Sequence, residues 1–262
     1  MTTSGGTPTS SFVWSGFCSG VRGLVRRLPA ATARAGGDLA GLLYPPRCAL
    51  CERPLDALSV VCARCIERLP ALEGARCRRC GEVLADPSVD VCIPCGTHLR
   101  SVDRFGALGP YDEGWGALVR ALKFDREPAV ARFLARRMAD WLDERGVVES
   151  IDRVTFVPMT RRDRRERGFN QAELLARAVA RRIGRPASRM LRKVRQTPPQ
   201  GRLTAAQRRA NLRDAVRPIR YAQDRVLLVD DICTTGSTVE ACAGALRRGG
   251  CPSVTVLTVA RA

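Results

Sequence analysis

The run Val226 to Thr238, VLLVDDICTTGST, changes character twice within thirteen residues. It opens with Val226, Leu227, Leu228 and Val229, a short aliphatic run that suits a strand buried on both faces of a parallel sheet. Asp230 and Asp231 follow at once, then small hydroxylated residues around Gly236. From Ser237 the pattern turns helical, with Val239, Cys242 and Leu246 at helical spacing and Gly249-Gly250 as the stop. The predicted unit is strand, acidic pair, small-residue loop, helix N-terminus. Unpaired backbone N–H groups at a helix start carry partial positive charge and bind phosphate. Thr234, Thr235, Ser237 and Thr238 add hydroxyl donors, and Gly236 lets the backbone approach an anion closely. Two carboxylates beside such a cradle repel phosphate, so they make sense only if the ligand also offers hydroxyls or a bound cation. A ribose 5-phosphate offers phosphate to the loop and its 2′- and 3′-hydroxyls to Asp230 and Asp231. The loop is no Walker A motif, because no Gly-Lys-Ser/Thr follows the glycine.

With those residues in hand, VLLVDDICTTGST resembles the phosphoribosyl pyrophosphate (PRPP) signature of type I phosphoribosyltransferases, an apolar strand, two acids and a T-T-G-S/T loop. A generic strand–turn–helix with an exposed acidic pair is the blander alternative.

The chain has 262 residues, 45% of them hydrophobic, enough for one medium core and a small appendage. Its formal charge of +18 is uneven, with +4 on residues 1–100 and +14 on residues 101–262. Arg153 to Arg220 alone hold 20 basic residues against 4 acids, a net of +16. Such a block attracts polyanions, whether nucleic acid or a pyrophosphorylated substrate. Compositional drift explains it equally well, because Lys123 and Lys193 are the only lysines among 44 basic residues. No apolar run approaches the ~20 residues that span a bilayer. Trp14 and Phe17 precede the first arginine, the wrong order for a secretory signal. A cytoplasmic protein without a membrane span is expected.

The second strong pattern is four CxxC knuckles: Cys48 and Cys51, Cys62 and Cys65, Cys77 and Cys80, Cys92 and Cys95. Two knuckles bring four thiolates onto one tetrahedral zinc, and gaps of 10 and 11 residues are zinc-ribbon spacing. Two structural Zn2+ ions are expected, and disulfides are disfavoured in a cytoplasmic chain. Sequential pairing is simplest, with Cys48, Cys51, Cys62 and Cys65 on one ion and Cys77, Cys80, Cys92 and Cys95 on the other. Spacing leaves a crossed arrangement open. His98, the only histidine, is read as a surface residue, and imidazole acid–base catalysis is not expected.

The domain reading is 1–37 as a disordered or loosely docked extension, 38–100 as a double zinc ribbon and 101–262 as the ligand-binding α/β domain. Within the extension, Phe12 to Ala35 also fits an amphipathic helix for a membrane surface or partner. Asp38 to Leu43 reads as a short helical turn before Pro45-Pro46. Val102 to Tyr111 predicts a strand, Trp115 to Phe124 a helix, and Pro128 to Glu144 a second helix begun by proline. Val154 to Val157 predicts a buried strand, followed by an arginine-dense loop from Met159 to Gln171 at the carboxyl edge of the sheet, where ligands bind. Asn170 and Glu173 form a predicted capping box, with Leu174, Leu175, Val179 and Ile183 facing inward. Thr197 to Arg213 reads as a mobile cover over the site or a plain surface connection, and Ser253 to Ala260 as the last strand.

Taken with ALKFDREPAVARFLARRMA, VPMTRRDRRERGFNQAELLARAVA and QTPPQGRLTAAQRRANLRDAV, the knuckles and the Asp230 loop resemble the ComF family from about Leu39 onward. These are competence-associated, phosphoribosyltransferase-like proteins with an N-terminal double zinc ribbon. The resemblance implies a type I phosphoribosyltransferase fold, an open, mostly parallel α/β sheet with flanking helices. It implies Asp230 and Asp231 as catalytic residues on the ribose hydroxyls, and Thr234, Thr235, Gly236, Ser237 and Thr238 on the 5′-phosphate. Arg167, Gly168, Phe169, Asn170 and Gln171 would lie near the pyrophosphate or acceptor, with Mg2+ bridging pyrophosphate and ribose oxygens. The implied function is phosphoribosyl transfer from PRPP to an unknown acceptor, tied to DNA uptake, competence or nucleotide metabolism. The alternative keeps the PRPP fold as a module for handling single-stranded DNA, with other DNA-uptake proteins as partners.

Overall fold

The computed structural model describes residues 46–56, 59–97, 101–124, 128–194 and 215–262. The readings for residues 1–37 and 38–43, for His98 and for residues 197–213 lie outside these residues. Six strands are present among them: β1 (Arg104–Pro110), β2 (Arg153–Phe156), β3 (Leu191–Lys193), β4 (Val216–Pro218), β5 (Arg225–Cys233) and β6 (Ser253–Arg261). The helices are α1 (Ala63–Glu67), α2 (Ile93–Thr97), α3 (Glu113–Phe124), α4 (Pro128–Glu144), α5 (Arg161–Arg167), α6 (Gln171–Arg182) and α7 (Ser237–Arg248). A four-stranded parallel sheet runs in the order β1-β6-β5-β2, and β3 pairs with β4 as a separate antiparallel ribbon.

The aliphatic run is buried on both faces because alternate residues of a strand point to opposite sides. Leu227 and Val229 pack with Leu118, Leu134 and Leu175 of α3, α4 and α6. Val226 and Leu228 pack with Val239, Cys242 and Leu246 of α7 and with Leu191 and Val216 of the β3–β4 pair. The result is the expected parallel sheet between helical layers.

The structure departs from the sequence reading at five places. β5 does not stop at Val229: it stays paired with β6 to Cys233↔Arg261, although its pairing with β2 ends at Phe156↔Val229. Asp230 and Asp231 are therefore strand residues. The arginine-dense stretch is not all loop, since Arg161–Arg167 forms α5, with the Thr160 hydroxyl accepting from Asp163 N–H and Gly168 stopping it at φ 81°. No capping box forms on α6, because Glu173 pairs with Arg164 at 3.3 Å and Arg177 at 2.9 Å. Leu174 is exposed rather than inward. The β3–β4 pair was not anticipated.

The expected appendage is built into the core. Pro45–Ala262 is one compact unit. Cys48 and Val61 lie in the same apolar cluster as Trp115 and Leu118. The Trp115 indole N–H donates to Pro70 O at 2.8 Å, Phe105 N–H to Arg78 O at 2.6 Å, and the Arg261 Nε–H to Cys80 O at 3.0 Å.

The two ribbons repeat one design. Cys48 N–H donates to Arg53 O as Cys77 N–H does to Glu82 O, and Glu52 N–H donates to Cys48 O as Gly81 N–H does to Cys77 O, all at 2.8 Å. The turn residue after each knuckle is left-handed, Gly81 at φ 75° and Glu52 at φ 59°, the only non-glycine with positive φ among the described residues. A non-glycine costs roughly 1–2 kcal/mol there, against roughly 0.5–1 kcal/mol of extra unfolded-state entropy for glycine. Glu52→Gly should thus stabilise by about 0.5–1 kcal/mol, raising the melting temperature by a few degrees. A lower melting point would mean that the Glu52 side chain carries a compensating contact.

Candidate functional site

Two parallel neighbours send their chains to opposite faces. After β2 the chain crosses to β5 through α6 on one face, and after β5 it crosses to β6 through α7 on the other. Such a divergence opens a crevice at the carboxyl ends of the strands, where open α/β sheets bind ligands. Asp230, Asp231 and the turn before α7 sit at that point.

Consecutive strand positions set the two carboxylates on opposite faces. Asp231 meets Lys123 of the last turn of α3, with Nζ–Oδ2 2.9 Å. Asp230 is on the α7 side, its Oδ1 accepting from Asp231 N–H at 2.9 Å. Burial, then the Asp231 carboxylate, pushes the Asp230 carboxyl well above the usual range. Asp231 is met by Lys123 and by the Ile232 N–H at 2.9 Å, so it is Asp230 that is short of positive charge, which a ligand hydroxyl or a cation supplies.

Beside the pair lies a cavity of about 240 Å3 whose wall includes Lys123, Asp163, Arg167, Asn170, Gln171, Lys193, Asp230 and Asp231. Of the residues expected to bind PRPP, Arg167, Asn170 and Gln171 are thus gathered with the acids, while Gly168 serves as the left-handed stop of α5. The Asn170 amide is engaged locally: its Nδ2 donates to Val157 O at 3.0 Å and its Oδ1 accepts from Ala172 N–H at 3.0 Å. Gln171 is 2% exposed, yet its Nε2 has no partner. A buried donor left unsatisfied costs about 1–3 kcal/mol, so Gln171 is a locally strained member of the segment that lines the cavity.

Thr234 to Thr238 lie outside the cavity wall. Gly236 precedes α7 at φ 75° and offers no side-chain cap itself, while the Ser237 N–H donates to the Thr235 hydroxyl at 3.4 Å. Thr234, Thr235 and Thr238 are exposed, and the Thr235 hydroxyl donates to Ser237 Oγ at 3.0 Å. An open helix N-terminus ringed by hydroxyls therefore flanks one side of the acidic pair, and the cavity flanks the other. Sequence reasoning missed Lys123, Asp163 and Lys193 as parts of this wall. The rarity of lysine was the one signal that pointed to two of them.

The knuckles converge sequentially. The Sγ atoms of Cys48, Cys51, Cys62 and Cys65 lie within 4.8 Å of one another, as do those of Cys77, Cys80, Cys92 and Cys95. Backbone donors aim at the sulfurs, Cys62 N–H at Cys48 Sγ (3.4 Å) and Cys92 N–H at Cys77 Sγ (3.3 Å). Against the opposing effect of burial, such N–H bonds lower the thiol of Cys48 to about 6 and of Cys77 to about 7. Two closed four-cysteine sets with pre-aimed donors fit structural zinc.

A parallel sheet with an acidic pair at its open end, carrying two four-cysteine ribbons, defines a phosphoribosyltransferase-type domain preceded by a double zinc ribbon. Residues 39–101 match the family described as double zinc ribbon domain, and residues 170–262 match the phosphoribosyl transferase domain. The chain belongs to the family of DNA utilization protein YhgH and competence protein F. It is 35% identical over 232 residues to DNA utilization protein YhgH of Salmonella typhimurium, covering 84% of this chain and 99% of that one. It is 31% identical over 228 residues to competence protein F of Haemophilus influenzae, covering 82% and 97%. Among solved structures, the allosteric regulatory enzyme of purine biosynthesis aligns over 49% of this chain and 25% of its own at 25% identity, with a TM-score of 0.35. Among the described residues, no helix is long and apolar enough to cross a membrane.

Proposed function

We propose that the chain binds PRPP with Mg2+ across Asp230 and Asp231 and transfers its phosphoribosyl group to an acceptor. The observation that carries this reading is the acidic pair at the crevice, with a hydroxyl-ringed helix N-terminus on one side and a cavity lined by Lys123, Arg167 and Lys193 on the other. The exposed turn of Thr234 to Thr238 takes the 5′-phosphate, and the two carboxylates accept from the ribose hydroxyls. Asp230 and Asp231 are the residues that would hold Mg2+ with the ligand, and the ion would supply charge compensation for the leaving group. The protein's own part is positioning and electrostatics. Calorimetry with PRPP and Mg2+, followed by a pyrophosphate-release screen over nucleobases and other nucleophiles, tests it. Absence of PRPP binding by the zinc-loaded protein would reject the reading.

A second reading, handling of single-stranded DNA, is favoured by a different surface. A cleft of about 450 Å3 beside the first ribbon is lined by Arg132, Arg136 and Arg137 of α4 and Arg182 of α6, with Val60, Ile66 and Phe133 as apolar neighbours. Arg132, Arg136 and Arg182 are exposed, and no ion pair engages them among the described residues. By contrast, Arg153, Arg162, Arg164, Arg177 and Arg185 of the basic block are paired with acids. Changing Arg132, Arg136 and Arg182 together to alanine should weaken binding to an oligothymidylate. It should also flatten the dependence of log K on log salt by about 2, since each single-strand phosphate contact contributes roughly 0.7. An unchanged slope would move the DNA contacts elsewhere, or remove them.

A further inference from the structure

A separate cavity, of about 350 Å3, adjoins the arginine cleft, because Arg137 and Asp140 of α4 belong to the walls of both. Its wall joins three parts of the fold: Arg76, Arg78 and Gly81 of the second ribbon, Gly106 of β1, and Trp141 of α4 with Arg145 just beyond it. Neither the acidic pair nor the turn before α7 lines it.

Trp141 is the aromatic face of this cavity that stays half open. Phe105 and Trp115 also line it, but at 8% and 4% exposure they are committed to packing. The indole is seated by its outer edge. A Cβ built on Gly106 would fall 2.3 Å from Trp141 Cη2, so the ring rests directly on the β1 backbone. Over the ring lies the Arg145 guanidinium, 4.3 Å from the centroid. Arg145 is exposed, and its contacts with Trp141 O at 3.4 Å and Glu144 at 3.6 Å are long, so it can swing aside or close over a planar guest. From the ribbon side come Arg76 and Arg78, and no ion pair engages either among the described residues. Arg76 donates to Glu73 O at 2.9 Å and Gly81 O at 3.1 Å, contacts that leave its charge uncompensated.

We infer that this cavity is a nucleotide pocket, in which a base stacks on Trp141 beneath Arg145 and its phosphate meets Arg76 and Arg78. Bases stack on aromatic rings and on guanidinium planes, and every base has a face to offer. An acidic peptide would meet Asp140 and Glu144 as like charges, whereas base amino groups donate to such carboxylates. The source of the nucleotide is a single DNA strand that continues into the arginine cleft, and this part rests on the single-strand reading of that cleft. Arg132 and Trp141 are nine residues apart on α4, about 14 Å at 1.5 Å per residue, so cleft and pocket hold neighbouring parts of one strand.

Titrating zinc-loaded protein with oligothymidylate should quench tryptophan emission, and the quench should vanish in Trp141→Phe. Trp141→Leu should weaken oligothymidylate binding at least fivefold with an unchanged dependence of log K on log salt, because stacking releases no counterions. Arg78→Ala should instead lower that slope by about 0.7, the share of one single-strand phosphate contact. Zinc content reports folding, and Trp141→Phe, with an at least twofold loss, serves for the affinity if Trp141→Leu does not fold. Thymidine 5′-monophosphate is the second arm, and the strand should bind at least tenfold tighter because it also engages the cleft. Equal affinity for the two would keep the pocket and assign it to a free nucleotide, rejecting the strand as its source. Oligothymidylate binding that neither quenches Trp141 nor weakens in Trp141→Leu would overturn the pocket and leave the cleft. An unchanged slope in Arg78→Ala would overturn the phosphate contact, and absence of binding by either ligand would overturn pocket and strand reading together.

Discussion

Stripping the metal from the cysteine clusters should unfold the whole unit from Pro45 to Ala262, not the ribbons alone. Cys48 and Val61 are 1% and 4% exposed within the cluster that holds Trp115 and Leu118, so the first ribbon is part of the main core. The second ribbon is anchored to β1 through Phe105 N–H on Arg78 O, and to β6 through Arg261, which also pairs with Glu82 at 2.7 Å. Structural zinc contributes about 10–16 kcal/mol of folding free energy in zinc-finger peptides at pH 7. A domain's whole stability is about 5–15 kcal/mol, so even one empty site is enough to matter. Purified protein should carry about two zinc ions per chain. Chelation, or Cys77→Ser, should abolish the cooperative melting transition and the near-UV signal of Trp115 and Trp141 together. Retention of that signal after zinc loss would show that the α/β layers stand without the ribbons. Zinc-free protein with paired thiols would remove the metal reading altogether.

How much of this was legible follows from which signals are local. The run Val226 to Val229 announced its strand because both faces are buried, and Pro128 with its apolar stripe announced α4. The end of β5 was not legible. Asp230 to Cys233 look like loop by composition, and only pairing with β6 holds them in the strand. The β3–β4 pair has three residues per strand, too few for a periodic pattern. Arg161 to Arg167 has no apolar stripe at all, and its helix is specified by its ends, Thr160 over Asp163 and Gly168. Those end signals were readable but were outweighed by the arginine density. In the site, the acidic pair and its turn were visible as a contiguous motif. Lys123 and Lys193 were not, because their meeting is made by the two layers of the fold and by nothing near them in sequence.

Asp231→Asn and Gly236→Val should each lower PRPP affinity by about tenfold or more, for different reasons. Asp231→Asn keeps the shape but replaces a charged acceptor for a ribose hydroxyl, a bond worth roughly 1.5–3 kcal/mol. Each 1.4 kcal/mol is about a factor of ten in the dissociation constant. The change also releases Lys123 from its 2.9 Å contact, so the free-state organisation of the cavity is altered as well. Gly236 sits at φ 75°, where a β-branched residue is strained by roughly 1–3 kcal/mol, and relief of that strain would rotate the turn that delivers N–H groups to the phosphate. Both positions are far in sequence from the cysteine clusters, so zinc content should match wild type and certify folding. Ribose 5-phosphate keeps the phosphate and the hydroxyls, so both variants should lose it. Inorganic pyrophosphate separates the two effects: it lacks the sugar and its 5′-phosphate, and its binding should be weakened far less by Gly236→Val. Oligothymidylate affinity should be nearly unchanged in Asp231→Asn, since no positive charge is removed. Calorimetry that finds wild type and both variants binding PRPP equally would reduce the stretch from Val226 to Thr238 to scaffold and leave the arginine cleft beside the first ribbon as the better guide to function.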